Sequence, residues 1–196
     1  MKITLSIVNN FLVLCLLCFA LTFMSGCGGD GLTAEQRTEI DKTIEKDGHG
    51  MNTMFDILLR GMGNPELTLK QVKYAVSKGV DIHDANARGW TALHIAASTG
   101  DVAVVNFLIA NGADVNVADN HNATPLHHAA GYWVGGGSVE VVKTLVASGA
   151  DVRRRAGTST EIRPGIGVNI TIVGETPLDT ARDKGFTDIV NYLSGR

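Results

Sequence analysis

The chain is poor in cysteine: its 196 residues include three. Cys15 and Cys18 lie inside an uncharged apolar run from Phe11 to Met24, where a redox or metal-binding pair is not expected. If that run is removed as a targeting segment, Cys27 is the one cysteine of the mature chain. The mature protein then has no internal disulfide, and packing alone must stabilise it.

Aromatic residues are also scarce, at 6% of the chain, whereas glycine is abundant, with 23 residues. This composition favours many short elements joined by tight turns over one large core. Basic residues are not in excess, because the formal net charge is −3. Nucleic-acid binding is therefore not expected, since neutralising phosphates requires clustered Lys and Arg.

The first 26 residues have the features of an export signal. The apolar run is too short for a comfortable membrane span but suits the core of a signal peptide. The following Met24-Ser25-Gly26-Cys27 resembles the lipobox of bacterial lipoproteins, although Met24 stands where that family usually has Leu. The resemblance implies lipid attachment at Cys27, and Gly28 after it favours the periplasmic side of the outer membrane. The alternatives are an ordinary signal peptide and an uncleaved anchor.

The rest of the chain repeats itself. Two signatures recur, the first pair of copies of each being 33 residues apart, which is a strong indication of a repeat architecture. The first is Thr91-Ala92-Leu93-His94-Ile95-Ala96-Ala97, Thr124-Pro125-Leu126-His127-His128-Ala129-Ala130 and Thr176-Pro177-Leu178-Asp179-Thr180-Ala181. The second is Gly79-Val80-Asp81-Ile82, Gly112-Ala113-Asp114-Val115 and Gly149-Ala150-Asp151-Val152.

These signatures resemble those of the ankyrin-repeat family, over residues 51–196. The resemblance implies an all-α repeat solenoid of about four units, each with two antiparallel helices and a projecting finger. The first unit is expected to have helices over Thr53 to Arg60 and Thr68 to Lys78, with Asn64-Pro65 in the loop between them. Residues 27–50 are predicted to be a tether followed by an N-capping helix, starting at a capping box of Thr33 and Gln36.

One finger is longer than the family pattern. Residues 157–174 add 15 positions between units three and four, and Val168, Ile170 and Ile172 alternate with polar residues as a half-buried strand does. We therefore predict a β-hairpin finger, with a partner strand over 158–162. Its arginines are candidates for contact with an acidic partner surface; the alternative is a solvated loop. They are Arg153, Arg154, Arg155 and Arg163.

The family resemblance also implies a binding face formed by the fingers and first helices. Trp90 is the strongest candidate for a residue that anchors a partner at this face. The alternative is that it folds back on the neighbouring finger. His94 and His127 are expected to bond the neighbouring turn backbone, a structural role. The remaining candidates on this face are Arg88, Ser98, Thr99, Asn120, His121, Tyr132 and Trp133.

No catalytic motif, cofactor site or zinc-type Cys/His spacing stands out in the sequence. We expect a non-enzymatic, monomeric binding module whose partner is another protein, with the membrane reached through the N-terminal lipid. One specific hypothesis is an immunity protein that neutralises a periplasmic toxin. The alternative is a scaffold or protective lipoprotein for an envelope enzyme, and an enzyme would require a site in the long finger.

Overall fold

The computed structural model describes residues 30–47, 50–60, 63–132, 137–157, 159–162, 169–172 and 174–196, with the backbone alone described at 51–52 and in the two strands. These residues form nine helices and two strands. The helices are α1 (Ala34–Asp47), α2 (Met51–Arg60), α3 (Pro65–Ser77), α4 (Ala92–Thr99), α5 (Val102–Ala110), α6 (Pro125–Ala129), α7 (Val139–Ala147), α8 (Pro177–Asp183) and α9 (Thr187–Leu193), and the strands are β1 (Ser159–Ile162) and β2 (Asn169–Ile172).

Helices α2 to α9 form four antiparallel pairs that stack in one direction. The first helices of the pairs, α2, α4, α6 and α8, contact one another in sequence order, and so do the second helices, α3, α5, α7 and α9. Each pair thus buries apolar surface against its neighbours as well as between its own two helices, as expected for a solenoid. Helix α4 shows the consequence, because all six residues from Ala92 to Ala97 are buried.

The first helices begin as the repeat signature predicts. Thr91 and Thr124 occupy the N-cap positions of α4 and α6, and each forms a capping box with the histidine three residues later. Pro125 occupies the first turn, where its missing N–H leaves no intrahelical bond unmade. At the opposite end of the unit, Gly112 follows α5 with φ +92°, the left-handed conformation expected of a helix stop.

The first unit differs from the sequence prediction at its second helix. Asn64 and Pro65 were assigned to a loop, but Asn64 caps α3 and Pro65 is in its first turn. The Asn64 side chain accepts a hydrogen bond from the Leu67 N–H at 3.1 Å. The prediction was wrong here because it placed the helix start at Thr68, whose hydroxyl instead bonds back to the Asn64 carbonyl within the first turn.

Helix α1 packs against α2 and α3 at the beginning of the stack. Its capping box is present as predicted: the Thr33 N–H donates to Gln36 Oε1 at 2.9 Å, and the Gln36 N–H donates to Thr33 Oγ1 at 3.2 Å. Ile40 and Ile44 are both buried. The polar helix therefore covers the apolar face of the first unit.

The long segment between the third and fourth units contains the two strands. They pair antiparallel, with Ser159 opposite Ile172 and Ile162 opposite Asn169. At their base, Ala156 and Glu175 exchange two backbone hydrogen bonds of 2.9 Å. The part of the alternating pattern at Asn169–Ile172 thus corresponds to a strand in the structure. Among the described residues, no helix has both the length and the apolar character needed to cross a membrane.

Candidate functional site

The signature histidines connect each unit to the finger of the next. The ring Nδ1 of His94 accepts a hydrogen bond from the Thr91 N–H at 3.1 Å, and its Nε2 lies 3.2 Å from the Ala123 carbonyl oxygen. His127 repeats this arrangement with the Thr124 N–H, at 3.1 Å, and the carbonyl of residue 175, at 3.1 Å. These bonds confirm the predicted structural role of both histidines.

His94 and His127 are both fully buried, and burial keeps their imidazole rings neutral. Desolvation lowers the pKa of His94 to about 4, with a further contribution from the nearby His128 ring. Burial likewise lowers the pKa of His127 to about 4. A neutral ring has one N–H and one acceptor nitrogen, which is the combination that these contacts require. The described residues contain no cluster of His, Cys, Asp or Glu able to hold a metal ion.

Asp119 organises the junction between the second and third fingers. Its Oδ1 accepts the N–H groups of His121 and Ala123, at 2.8 and 2.9 Å. Its Oδ2 lies 3.0 Å from Trp90 Nε1 and 3.2 Å from His128 Nε2, so both rings donate to one carboxylate oxygen. The carboxylate thus holds a turn, a core histidine and the preceding finger together. We call Trp90, Asp119 and His128 the Asp119 cluster.

Electrostatics in this cluster favour an ionised carboxylate. Burial alone raises the pKa of Asp119, but hydrogen bonds from His128 and from the Ala123 and His121 backbone outweigh burial and lower the pKa to about 2. His128 itself is fully buried. A carboxylate and imidazole pair that solvent cannot reach is suited to holding the fold together rather than to exchanging protons with a substrate.

Trp90 is therefore not a projecting anchor in the structure, and the alternative stated for it from the sequence applies. It folds back on the neighbouring finger, donates its indole N–H to Asp119 and packs edge-on against the His128 ring, with 5.0 Å between ring centroids. The side chain is half-buried. The guanidinium of the exposed Arg88 lies 5.4 Å from the Trp90 ring centroid, a cation–π contact. The exposed group at this turn is thus the arginine.

Hydrogen bonds between successive fingers align their edges. The Asn120 N–H donates to the Arg88 carbonyl at 3.0 Å, and Asn120 Nδ2 donates to the Ala87 carbonyl at 2.9 Å. Asn122 Nδ2 donates to the Arg155 carbonyl at 2.7 Å, across the next junction. Asn120 and Asn122 therefore tie three adjacent fingers into one continuous edge.

Three of the four predicted arginines lie along this edge. Arg153, Arg154 and Arg155 are exposed as expected. Arg154 Nη2 donates to Asn122 Oδ1 at 2.7 Å, and Arg155 Nη1 donates to the Gly174 carbonyl at 2.7 Å. Arg155 thus joins the two ends of the long finger, a structural role that the sequence did not indicate. Arg153 makes no side-chain hydrogen bond to another described residue.

The other predicted site residues are distributed more widely. Asn120, His121 and Thr99 are exposed, and Ser98 and Tyr132 are half-buried. Three of the predicted residues, Cys27, Trp133 and Arg163, lie outside the described part of the chain.

Two residues that sequence reasoning missed are Asp119 and His128. Their link joins the finger to the first helix of the same unit. The available signal was His128 itself, a polar residue where the second unit has the buried apolar Ile95.

A stack of helix pairs with a row of projecting fingers defines the class of helical-repeat solenoids. A family model described as ankyrin repeats, in three copies, matches residues 62–156. Residues 62–156 are therefore similar to ankyrin repeats, which are typically non-enzymatic modules for protein–protein interaction.

Several known proteins resemble this segment. A RelA-associated inhibitor of Mus musculus is 47% identical over 62 residues, 32% of this chain and 8% of that protein. Protein phosphatase 1 regulatory subunit 27 of Mus musculus is 36% identical over 76 residues, 39% of this chain and 46% of that protein. An ankyrin repeat protein of Rickettsia bellii is 36% identical over 66 residues, 34% and 28% of the two chains. The similarity thus spans less than half of each relative's length.

Proposed function

We propose that the finger edge of this array binds an acidic surface of another protein. The finger edge is the exposed strip formed by Arg88, Asn120, His121 and Arg153 to Arg155. The observation that carries the proposal is the placement of four exposed arginines on the two outer members of three successive fingers, which Asn120 and Asn122 of the middle finger hold in register. A guanidinium forms paired hydrogen bonds with carboxylates, so a fixed row of arginines favours an acidic partner.

Rigidity of the edge supports this function. Side chains on fingers joined by short amide hydrogen bonds lose less conformational freedom on binding than side chains on independent loops. The base of the segment that contains β1 and β2 is bonded to the third finger, because the Gly157 N–H donates to the His121 carbonyl at 2.7 Å. We infer that this lengthened finger contributes contacts specific to the partner.

The location we propose is the bacterial envelope. Residues 1–26 would act as a lipoprotein signal peptide, and Cys27 would carry the lipid and hold the array at the periplasmic side of the outer membrane. In that setting an acidic partner could be a toxin that the array neutralises, as an immunity protein does. Recovery of an envelope enzyme as the partner would instead favour a scaffold or protective lipoprotein.

Binding is tested by affinity purification of the tagged full chain from envelope extracts, followed by titration of the recovered partner. Reversing two edge charges, Arg88→Glu with Arg153→Glu, should weaken binding by at least tenfold, because each contact with a carboxylate becomes repulsive. The matched control reverses two exposed lysines off the edge, Lys46→Glu with Lys143→Glu. Equal affinities of the two double variants would show that the finger edge is not the contact surface.

Anchoring is tested separately with Cys27→Ala. Metabolic labelling with an alkyne fatty acid should tag the unaltered chain and leave the variant unlabelled, and fractionation should move the variant out of the outer membrane. Absence of label from the unaltered chain would contradict the lipoprotein assignment without affecting the binding proposal.

A further inference from the structure

The side of the array opposite the finger edge is formed by the turns that join the two helices of each unit. Successive turns adjoin one another, and the first two line a common groove. A Cβ on Gly100 in the second turn would lie 3.4 Å from Ser138 in the third. A Cβ on Gly137 would lie 2.7 Å from the Phe186 ring in the fourth. We call this surface the turn side; its described residues are 63–64, 100–101, 130–132, 137–138 and 184–186.

The folded part of the chain begins at the turn side. A Cβ on Gly31 would lie 3.2 Å from Lys70 Cε, and Lys70 Nζ lies 2.6 Å from Glu66 in the first turn of α3. At the other end of α1, a Cβ on Gly50 would lie 2.9 Å from Asp84 Oδ2, on the finger between α3 and α4. Helix α1 therefore runs from the turn side to the fingers. Its 14 residues make it about 21 Å long.

The segment between the proposed lipid site and the folded chain is very short. Cys27 precedes Asp30, the first described residue, by three positions. Three residues reach at most about 11 Å even when fully extended. If the finger edge rested on the membrane, Asp30 would be separated from the lipid by at least the length of α1, about 21 Å. The segment is too short to allow that orientation.

Charge makes this restriction important for binding. The finger edge carries the exposed Arg88 and Arg153 to Arg155. Arginines near a membrane are attracted to anionic headgroups, which would compete with an acidic protein for the same side chains. The charges close to Asp30 are paired with one another, as in the bridge of 2.6 Å from Asp30 to Arg37. The short segment, rather than surface attraction, therefore sets the orientation.

We propose that this three-residue tether holds the finger edge clear of the membrane, with the turn side of the first unit next to the headgroups. The inference rests on the lipid at Cys27 that is proposed above. The finger edge then faces the aqueous phase. Its acidic partner is accordingly a water-soluble protein, and neither an anionic lipid surface nor a protein embedded in the same membrane.

Energy transfer from a dye on the protein to an acceptor dye on lipid headgroups tests this orientation. The full lipidated chain is inserted into preformed vesicles of phosphatidylethanolamine and phosphatidylglycerol. Since acylation occupies Cys27, a cysteine introduced by Glu66→Cys or by His83→Cys attaches the donor dye at the turn side or on a finger. Transfer should be at least about twofold more efficient from position 66, because the length of α1 separates the two positions.

A longer tether should remove this difference. Inserting about 20 Gly and Ser residues between Gly29 and Asp30 adds an r.m.s. length of about 25 Å, enough for the fingers to reach the headgroups. At low ionic strength the two positions should then give equal transfer. The same residues appended after Arg196 are the matched control and should leave the difference unchanged.

The possible failures are distinguishable. Equal transfer from both positions with the unaltered tether would overturn the proposal, and greater transfer from position 83 would show that the arginines lie on the lipid. A difference that persists with the longer tether would also refute it. Absence of fatty-acid label from the unaltered chain would overturn the anchor and this inference together. Failure of the Arg88→Glu and Arg153→Glu test would concern the binding surface alone.

Discussion

Acid should destabilise this protein through the two histidines that join its units. In the folded state the pKa of His94 and of His127 is about 4, whereas an unfolded histidine has a pKa of about 6.5. Because the folded pKa is the lower one, the unfolded state binds more protons as the pH falls below about 6.5. The stability contributed by the neutral rings is therefore complete above that pH and is lost progressively down to about pH 4.

The size of the effect follows from the same two values. Between pH 7.5 and pH 5, each histidine should reduce the free energy of unfolding by about 2 kcal/mol, and both together by about 4 kcal/mol. Asp119 does not interfere in this window, since its pKa of about 2 places its own titration at lower pH. A loss of this size is a large part of the stability of an ordinary domain.

Urea denaturation followed by circular dichroism at pH 7.5 and pH 5 measures this loss directly. His127→Gln should halve the pH dependence, and His94→Gln with His127→Gln should remove most of it. His83→Gln is the control, because His83 is exposed on its finger. The reasoning is refuted if the unaltered protein loses less than about 1 kcal/mol over this range, or if the double variant keeps the full dependence.

Two further substitutions test packing at the junctions. Asp119→Ala removes the acceptor of four hydrogen bonds and should lower the free energy of unfolding by about 3 kcal/mol. The control Asp114→Ala changes an exposed turn residue and should lower it by about 1 kcal/mol. Equal losses in urea denaturation would contradict the role given to the Asp119 cluster. In Gly137→Ala the new Cβ would lie 2.7 Å from the Phe186 ring, whereas Gly149→Ala, also at positive φ, meets nothing within 4 Å. Thermal melts should show Gly137→Ala to be the less stable by about 1–3 kcal/mol, and similar Tm values would refute the proposed clash.

Much of the repeat was predictable because its determinants are local. A threonine three residues before a histidine is sufficient for a capping box, and Gly112 can end a helix through its own backbone freedom. The capping box at Thr33 and Gln36 is equally local. The start of α3 was missed because Asn64 and Pro65 can mark either a loop or a helix cap.

The contacts that define the candidate site are not local. Trp90 and Asp119 are separated by 29 residues, and the Asn122 and Arg155 partners by 33. The sequence is compatible with more than one position for each of these side chains. A tryptophan at a turn can project or fold back, and an arginine can face solvent or join the ends of a finger. Which position a side chain adopts depends on how closely the neighbouring units stack.

The sequence alone therefore determined the repeat unit, its caps and the position of the long finger, because these depend on residues within a few positions of one another. The tertiary structure decided which polar groups form hydrogen bonds within the protein and which remain exposed. Stacking of the units brings Asp119 beside Trp90, whose indole N–H donates a hydrogen bond to the carboxylate. Arg88 and Arg153 remain at the surface.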